Sequence, residues 1–267
     1  MDFAETKRKK PNEPTRVIAV INQKGGVGKS TTVINLSAAL GEMGFKCLDI
    51  DFDPQGNTTS GLGIEKNQLE SCIYNAISDE IDISEIVMPT DAENVYLVPA
   101  TMQLAGAEIE LVSAMARENI LKGCISEIKG EFDFIFIDCP PSLGLLTVNA
   151  LVAADSLIIP IQCEYYALEG VSKLVESMRM VKRRLNPDLD IFGVLLTMFD
   201  TRTTLSRQVA DEVCGYFKDD VFKTIIPRSV KVSEAPSHGV PVTVYARMNK
   251  GAIAYRNLAK EVVKRAY

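Results

Sequence analysis

Short apolar runs recur along the chain, separated by longer stretches in which apolar residues return at helical spacing. Each run has four to seven residues, is rich in Val and Ile, and is apolar almost throughout. Such runs are typical of strands buried on both faces of a sheet. They predict strands at Val17–Ile21, Cys47–Ile50, Val95–Val98, Phe132–Ile137, Leu157–Ile161, Ile191–Thr197 and Phe222–Ile226.

The intervening stretches predict helices. They lie at Ser30–Met43, Met102–Gly123, Gly144–Ala153, Leu168–Arg184, Thr204–Phe217 and Ala252–Ala266. Alternating strands and helices imply right-handed βαβ units. We therefore predict an α/β fold with a mainly parallel, twisted sheet and helices on both faces. Sheets of this kind bind ligands at the carboxyl ends of their strands.

The domain organisation is simple. Residues 1–15 contain two prolines and the basic run Lys7–Lys10, and they predict a flexible basic N-terminal tail. Residues 16–267 show no internal repeat or low-complexity linker and predict a single domain. No apolar run approaches the ~18 residues that a membrane-spanning helix needs. The N-terminus also lacks a signal-peptide pattern, so we expect a cytoplasmic protein.

Charge is unevenly distributed along the chain. The net charge is −6, yet residues 228–267 contain eight Lys/Arg against two Glu. A basic portion on an acidic body fits a local patch for nucleic acid or an anionic membrane. It fits equally a solvated basic helix with no partner.

A glycine-rich segment follows the first predicted strand and precedes the first predicted helix. It reads N-Q-K-G-G-V-G-K-S-T, from Asn22 to Thr31. Its glycines let successive backbone N–H groups point into one cavity, and the helix N-terminus adds partial positive charge. Lys29 can reach the β- and γ-phosphates of a nucleotide, Ser30 can ligate Mg²⁺, and Thr31 can bond the α-phosphate. Gln23 replaces the first glycine of the usual G-x-x-x-x-G-K-S/T pattern.

Carboxylates follow the predicted strands next to this loop. Asp51 and Asp53 end the second strand, where acidic residues can hold Mg²⁺ or orient water. Asp138 ends the apolar run Phe132–Ile137, which is the arrangement of a Walker B strand. Asp49 lies inside the second strand, and we interpret it as a solvated or salt-bridged residue whose role is open.

These motifs resemble those of the ParA/MinD family of ATPases. K-G-G-V-G-K-S is similar to the family's deviant Walker A motif, with its extra lysine at Lys24. D-F-D-P-Q-G-N and D-C-P-P-S-L look like its second nucleotide motif and its switch. The strings E-Y-Y-A-L-E-G and I-P-R-S-V-K-V-S-E-A-P are similar to chromosomal ParA proteins of the Soj type. The resemblance extends from Arg16 to nearly the end of the chain and implies a P-loop NTPase fold.

The resemblance assigns roles at the nucleotide. Lys24 would cross a dimer interface to the partner's ATP, as an arginine finger does, and Asp53 would position the attacking water. Asp51 and Asp138 would support Mg²⁺ through water, together with Ser30. Further nucleotide contacts are expected from Gly25, Gly26, Val27, Gly28, Lys29, Ser30 and Thr31, and at the adenine from Met198 and Pro227.

The resemblance also implies a function. Proteins of this type dimerise around ATP, bind DNA without sequence preference, and hydrolyse ATP slowly until a ParB-type centromere-binding protein stimulates them. Such a protein would associate with the nucleoid and act in chromosome or plasmid partitioning, and proteins of this type also regulate sporulation or replication initiation. The positions matching DNA-binding residues are Arg202, Arg228, Lys231 and Lys250.

Three other functions share this fold. A MinD-like membrane switch for division-site placement needs an amphipathic C-terminal helix, but Tyr255–Tyr267 lacks bulky apolar wedges, so we expect it to dock on the core. An iron–sulfur scaffold would need paired cysteines, and the six cysteines include no CxxC. We interpret them as buried, reduced thiols. A bacterial tyrosine kinase would have a tyrosine cluster at its tail, where Tyr267 stands alone.

Overall fold

The computed structural model describes residues 14–164 and 169–267. The predicted tail therefore falls almost entirely outside the described residues, as does Lys7–Lys10. Its last residue, Thr15, belongs to the fold: Thr15 is buried, and its hydroxyl donates to the carbonyls of Lys129 and Phe132. Thr15 thus packs with the domain that follows it.

A single seven-stranded sheet forms the centre of the molecule, in the order β3-β4-β2-β5-β1-β6-β7. The strands are β1 Arg16–Val20, β2 Cys47–Asp51, β3 Met88–Pro89, β4 Val95–Val98, β5 Phe134–Asp138, β6 Ser156–Gln162 and β7 Asp190–Thr197. Every pairing is parallel except β3 with β4, which is antiparallel. The predicted fold class is confirmed.

Helices cover both faces of the sheet. Over the described residues they are α1 Lys29–Gly41, α2 Asn57–Gly61, α3 Ile73–Ile77, α4 Leu104–Glu110, α5 Ile120–Ile128, α6 Leu145–Ala153, α7 Glu169–Arg184, α8 Thr204–Phe217, α9 Val230–Glu234, α10 Val242–Tyr245 and α11 Lys250–Ala266. Short 3₁₀ helices lie at Lys66–Gln68, Ile83–Ile86, Leu111–Ser113, Lys129–Glu131, Lys218–Asp220 and Ala235–His238.

The central strands contribute side chains to two separate hydrophobic cores, one on each face of the sheet. Val17 and Ala19 of β1 face the core under α5, α6, α7 and α8, whereas Ile18 and Val20 face the core under α1 and α11. Side chains alternate across a strand, so a strand covered on both faces must be apolar at every position. This double burial explains the unbroken apolar runs in the sequence.

The predicted strand Phe222–Ile226 is wrong. The segment lies beside β7, but backbone bonds to it occur only at its two ends: Phe222 N donates to Val194 O, Ile226 N donates to Leu196 O, and Ile226 O accepts from Phe199 N. In between, the backbone N–H groups of Lys223 and Thr224 donate to the Glu261 carboxylate of α11 instead. A side chain therefore takes the donors that a strand would have given to its neighbour.

The predicted helix Met102–Gly123 is broken in the structure. It divides into α4, a 3₁₀ turn at Leu111–Ser113, and α5, which begins only at Ile120. Between the 3₁₀ turn and α5, Ala116 has a left-handed φ of 50°, and the carbonyl of Arg117 accepts a hydrogen bond from the side-chain amide of Asn149 in α6. Tertiary contact with α6 thus overrides a sequence pattern that resembles one continuous helix.

The C-terminal helix α11 docks on the core, as predicted, and it packs there against α1. Tyr255, Leu258, Ala259 and Val262 are all buried there. Among the described residues, no helix combines the length and apolarity needed to cross a bilayer. The six thiols are free: Cys47, Cys72, Cys139 and Cys163 are buried, Cys124 is half-buried, and Cys214 is exposed.

Candidate nucleotide site

The loop between β1 and α1 curls back on itself at two glycines. Gly26 and Gly28 have φ values of 74° and 94°, a left-handed conformation that side chains with a Cβ rarely adopt. Gly28 stands directly before α1, and its carbonyl accepts from both the amide and the hydroxyl of Thr32. The loop therefore points its N–H groups into the space at the carboxyl edge of the sheet.

Two side chains outside the motif fasten this loop to the sheet. Asn22 is buried; its amide donates to Pro160 O of β6 at 2.7 Å, and its oxygen accepts from Lys24 N. Thr197, at the end of β7, donates to Val27 O at 2.8 Å. We did not predict either role, although a buried polar residue directly after a strand is a signal that could have indicated Asn22.

The two lysines of the loop lie in opposite environments. Lys29 is only 7% exposed and faces the space enclosed by the loop, whereas Lys24 is exposed to solvent. Lys29 lies close enough to Asp138 for its charge to influence that carboxyl. Lys29 is thus directed into the cavity of its own subunit, whereas Lys24 is accessible from outside it.

A cavity of about 530 Å³ opens over the loop. It brings together Gly25, Gly26, Lys29, Ser30, Thr31 and Asp53, all predicted from the sequence. An adjoining cavity of about 450 Å³ is lined by Gly28, Thr31, Met198, Pro227 and Arg228. The two cavities share Gly28, Thr31 and Met198, so phosphate and base positions could be filled by one molecule.

Asp51 and Asp138 lie side by side beneath this cavity. They are register partners on β2 and β5, and both are fully buried. Thr59 donates to Asp51 through its amide at 2.7 Å and its hydroxyl at 2.6 Å, and Thr58 donates to Asp138 at 2.7 Å. The short helix α2 therefore supplies the hydrogen bonds that hold both carboxylates in place.

Burial and mutual repulsion disfavour the charged form of this pair. Burial, followed by the charge of Asp138, raises the pKa of Asp51 to about 8. Burial raises the pKa of Asp138 to about 6, although Ser30, Thr58 and the Lys29 charge act in the opposite direction. The Oδ1 atom of Asp138 has no hydrogen-bond partner among the described residues. An orphaned carboxylate oxygen near Ser30 suits a hard divalent cation such as Mg²⁺.

Asp53 differs from this pair because it reaches the cavity. It is 6% exposed, lines the space over the loop, and accepts from Gln55 N at 3.0 Å. A carboxylate at this position is placed to contact a water molecule beside a bound phosphate.

Asp49 is not the solvated or salt-bridged residue that we predicted. It is fully buried, and its Oδ2 accepts from Ser37 of α1 at 2.6 Å. Burial raises its pKa well above the ordinary value, and the charges of Asp138 and Asp51 add to this effect. Asp49 therefore joins β2 to α1 inside the fold rather than facing solvent.

Four basic residues predicted to contact DNA lie at the surface, and three of them are paired. Arg202 donates two hydrogen bonds, of 2.9 and 2.7 Å, to the Asp200 carboxylate. Arg228 donates one to Glu164 at 2.8 Å. Lys231 donates to Glu234 at 2.8 Å and lies over the Tyr245 ring. Lys250 is exposed at the start of α11. Any anion that binds here must compete with these carboxylates.

Comparison with known proteins places this chain in a family. A family model described as an AAA domain matches residues 15–191. The sporulation initiation inhibitor protein Soj of Bacillus subtilis (strain 168) is 56% identical over 92% of this chain and 98% of its own length. The chromosome partitioning protein ParA of Myxococcus xanthus is 51% identical over 94% of this chain and 88% of its own.

Solved structures agree with this relationship. A Mycobacterium smegmatis protein named cobyrinic acid a,c-diamide synthase, with bound ADP and magnesium, is 40% identical, with a TM-score of 0.82 over 92% of each chain. The septum site-determining protein MinD of Pyrococcus horikoshii, complexed with Mg-ADP, is 28% identical, with a TM-score of 0.76 over 93% of this chain and 96% of its own. Sequence and fold together show that this chain belongs to the ParA/MinD family of P-loop ATPases.

Proposed function

We propose that this protein is a nucleotide-dependent switch in chromosome or plasmid partitioning. It dimerises around ATP, binds DNA without sequence preference in that state, and hydrolyses ATP slowly. The names of the Bacillus and Myxococcus relatives support the partitioning role. The Mycobacterium and Pyrococcus structures with ADP and magnesium support the nucleotide and the cation.

The contrast between the two loop lysines carries this proposal. A single subunit needs one lysine at the phosphates, and buried Lys29 meets that need. Lys24 is exposed at the rim of the same loop, where a second subunit facing the site would bring its own Lys24 to this nucleotide. Completion of the site by a partner makes hydrolysis depend on dimerisation.

The chain's own residues divide the chemistry between them. The loop amides and Lys29 bind the phosphates, and Asp53 orients the attacking water. Ser30, with Asp51 and Asp138 acting through water, would hold Mg²⁺, which neutralises charge on the phosphate oxygens. No described residue in the cavity offers a histidine or an internal arginine finger beside Asp53, in keeping with slow unassisted turnover.

DNA binding in this proposal depends on the dimer. A monomer with net charge −6 gains little from DNA, but two copies double the basic face formed by Arg202, Arg228, Lys231 and Lys250. Phosphates would replace Glu164 and Asp200 as partners of the arginines. Binding through phosphate contacts falls steeply with salt. The stimulating partner would be a ParB-type centromere-binding protein, and the complex would lie on the nucleoid in the cytoplasm.

The first test is co-sedimentation with nonspecific DNA and, separately, with anionic liposomes. Each is measured with ATP, with ADP and without nucleotide, at two salt concentrations. We expect ATP-dependent, salt-sensitive binding to DNA alone. Arg228→Ala should reduce it by about tenfold or more, because the loss of one phosphate contact is doubled by the dimer.

The matched control is Lys223→Ala. Lys223 is exposed and lies only five residues away, beside the middle of β7 rather than at the nucleotide cavity. Its loss should change DNA binding less than twofold, within the range of a single remote surface charge. ATP-dependent binding to liposomes instead of DNA would contradict the proposal and move the protein to the MinD type of membrane switch.

A further inference from the structure

Two arginines and two carboxylates from three loops meet beside the cavity of about 450 Å³ that Arg228 helps to line. Glu164 follows β6. Asp200 and Arg202 follow β7, and Arg228 follows the segment 222–226 that lies beside β7. Because β6 and β7 are parallel neighbours in the sheet, their carboxyl ends bring these loops together. We call Glu164, Asp200, Arg202 and Arg228 the arginine–carboxylate cluster.

The backbone holds Arg228 next to the loop that carries Asp200. Phe199 N donates to Ile226 O, and Arg228 N donates to Phe199 O, both at 3.0 Å. Hydrogen bonds from Arg202 lower the pKa of Asp200, and the charge of Arg228 acts in the same direction. Both arginines therefore act on one carboxylate, and the cluster behaves as a single electrostatic unit.

Each arginine of the cluster is paired with one carboxylate. Arg202 donates to Asp200 at 2.9 and 2.7 Å, and Arg228 donates to Glu164 at 2.8 Å. Two positive and two negative charges cancel, so the cluster has little net attraction for a phosphate group. The guanidinium groups nevertheless remain accessible, since the side chains of Arg202 and Arg228 are 85% and 58% exposed.

These ion pairs contribute little to the stability of the fold. Asp200 and Arg202 are only two residues apart, so their pair connects no distant parts of the chain. Ion pairs between exposed side chains stabilise proteins only slightly, and the Arg228–Glu164 pair is exposed on both sides. Their main effect falls on anions, because a phosphate that binds either arginine must first displace its carboxylate.

We propose that Glu164 and Asp200 are autoinhibitory residues, which compete with DNA phosphates for Arg228 and Arg202 and so weaken DNA binding by a single subunit. Two subunits on one duplex present twice as many arginines to phosphates at fixed positions, so a dimer displaces the carboxylates more readily than a monomer does. This inference rests on the proposed function, because it takes DNA as the polyanion.

DNA binding without nucleotide tests the competition directly. The probe is a short fluorescent duplex, followed by anisotropy at about 0.1 M salt, where charges farther away than ~10 Å are screened. Glu164→Gln should tighten binding about fivefold, and its combination with Asp200→Asn about twentyfold, because each change removes a competitor of phosphate. Glu212→Gln makes the same substitution on the exposed surface of α8 and should change the affinity less than twofold.

A double-mutant cycle separates competition from general charge repulsion. In the Arg228→Ala protein, Glu164 has lost the arginine to which it is bonded, so Glu164→Gln should then change DNA binding less than twofold. Sedimentation velocity without nucleotide should show that Glu164→Gln remains a monomer. A gain in DNA binding that came with dimerisation would overturn the proposal.

Phenylglyoxal modification reports the pair between Glu164 and Arg228 in the absence of DNA. A neutral amide accepts a weaker hydrogen bond than a carboxylate does. Glu164→Gln should therefore free the Arg228 guanidinium and speed its modification several-fold, as followed by mass spectrometry. Glu212→Gln should leave the rate unchanged, and equal rates for the two variants would overturn the proposal.

Two results would overturn the proposal and leave the proposed function intact. One is DNA binding by Glu164→Gln that is no tighter than that of wild type. The other is an equal gain with and without Arg228, which would show general repulsion instead of competition. Wild-type DNA binding that ATP does not strengthen would instead contradict the proposed switch, and it would leave the outcome of the cycle unaffected.

Discussion

Two carboxyl groups at the carboxyl edge of the sheet, those of Asp51 and Asp138, are buried in an environment that disfavours their charged form. Asp51 and Asp138 are buried as register partners, and the structure places an oxygen of Asp138 without a hydrogen-bond partner among the described residues. Repulsion of this kind destabilises the protein whenever no cation balances it. In the role proposed for these two carboxylates, a bound cation would relieve this repulsion and stabilise the protein.

Stability of the empty protein should therefore fall as pH rises. The pKa values of about 8 for Asp51 and about 6 for Asp138 exceed the ordinary value near 3.9. Between pH 3.9 and about pH 8, these carboxyl groups bind more protons in the folded state than in the unfolded state. The unfolding free energy therefore decreases as the pH rises through this range. We expect a loss of about 1 kcal/mol per pH unit between pH 6 and 8, measured by urea denaturation in EDTA without nucleotide.

The Asp51→Asn variant isolates this effect. The amide side chain keeps an oxygen that can accept from Thr59 but cannot ionise, so the variant's stability should vary less with pH than that of wild type. The exposed Asp188→Asn should retain the wild-type slope. Parallel slopes for wild type and Asp51→Asn would show that this carboxyl does not titrate as described.

Individual residues show where sequence reasoning succeeds and where it stops. Lys29, Ser30 and Asp53 were predicted from local spacing, and the structure brings all three to one cavity. Asn22 and Thr197 were missed, because their partners Pro160 and Val27 lie 138 and 170 positions away. Asp49 was misread although its partner Ser37 is only 12 positions away, because the sequence does not show that α1 covers this side of β2.

At the scale of elements, β7 and the segment after α8 fit together through one glycine. Gly193 lies in β7 next to a register shift in its pairing with β6, and the Phe222 ring covers it. A Cβ at position 193 would overlap that ring. The Arg265 guanidinium covers Phe222 as well, at 4.2 Å from its centroid. The ring is thus fixed between β7 and α11.

Gly193→Ala should destabilise the protein by about 1–3 kcal/mol, the usual cost of overpacking a core. Chemical denaturation measures it. Gly215→Ala is the matched control: position 215 lies in α8 with nothing within 4 Å of a new Cβ, so Ala should be neutral or stabilising. Adding Phe222→Leu to Gly193→Ala should recover part of the loss, and strict additivity would argue against the contact.

Helix α8 and the segment Phe222–Ile226 show which elements could be predicted from the sequence. Helix α8 was predicted with its observed bounds, Thr204–Phe217, since one helix face packs on the core and its first residue follows a Thr cap. The segment Phe222–Ile226 has the apolar content of a strand, but Glu261 takes its donors. Apolar content indicates burial, whereas pairing depends on partners distant in sequence.

At the scale of the whole molecule, the exposed loop lysine predicts a separation of two activities. Lys24→Ala should leave ATP binding by one subunit nearly unchanged, because Lys24 is directed to solvent. It should abolish ATP-dependent dimerisation and lower hydrolysis by about 10³-fold, the scale of a lost arginine finger. Isothermal titration and analytical ultracentrifugation measure the two activities.

Lys29→Ala is the comparison variant for this prediction. Loss of the buried lysine should weaken ATP binding itself, so dimerisation and hydrolysis fail together with it. A Lys24→Ala protein that still dimerises with ATP, or one that no longer binds ATP, would contradict the division of roles between the lysines.

The distribution of thiols allows the native protein to be labelled with a dye at one exposed cysteine. Cys214 is exposed on α8, Cys124 is half-buried, and the other four thiols are buried in the fold. A bulky maleimide dye should therefore attach to Cys214 first without any engineered cysteine. Mixing donor- and acceptor-labelled protein would then report subunit association in real time by energy transfer, in a chain whose sequence is otherwise untouched.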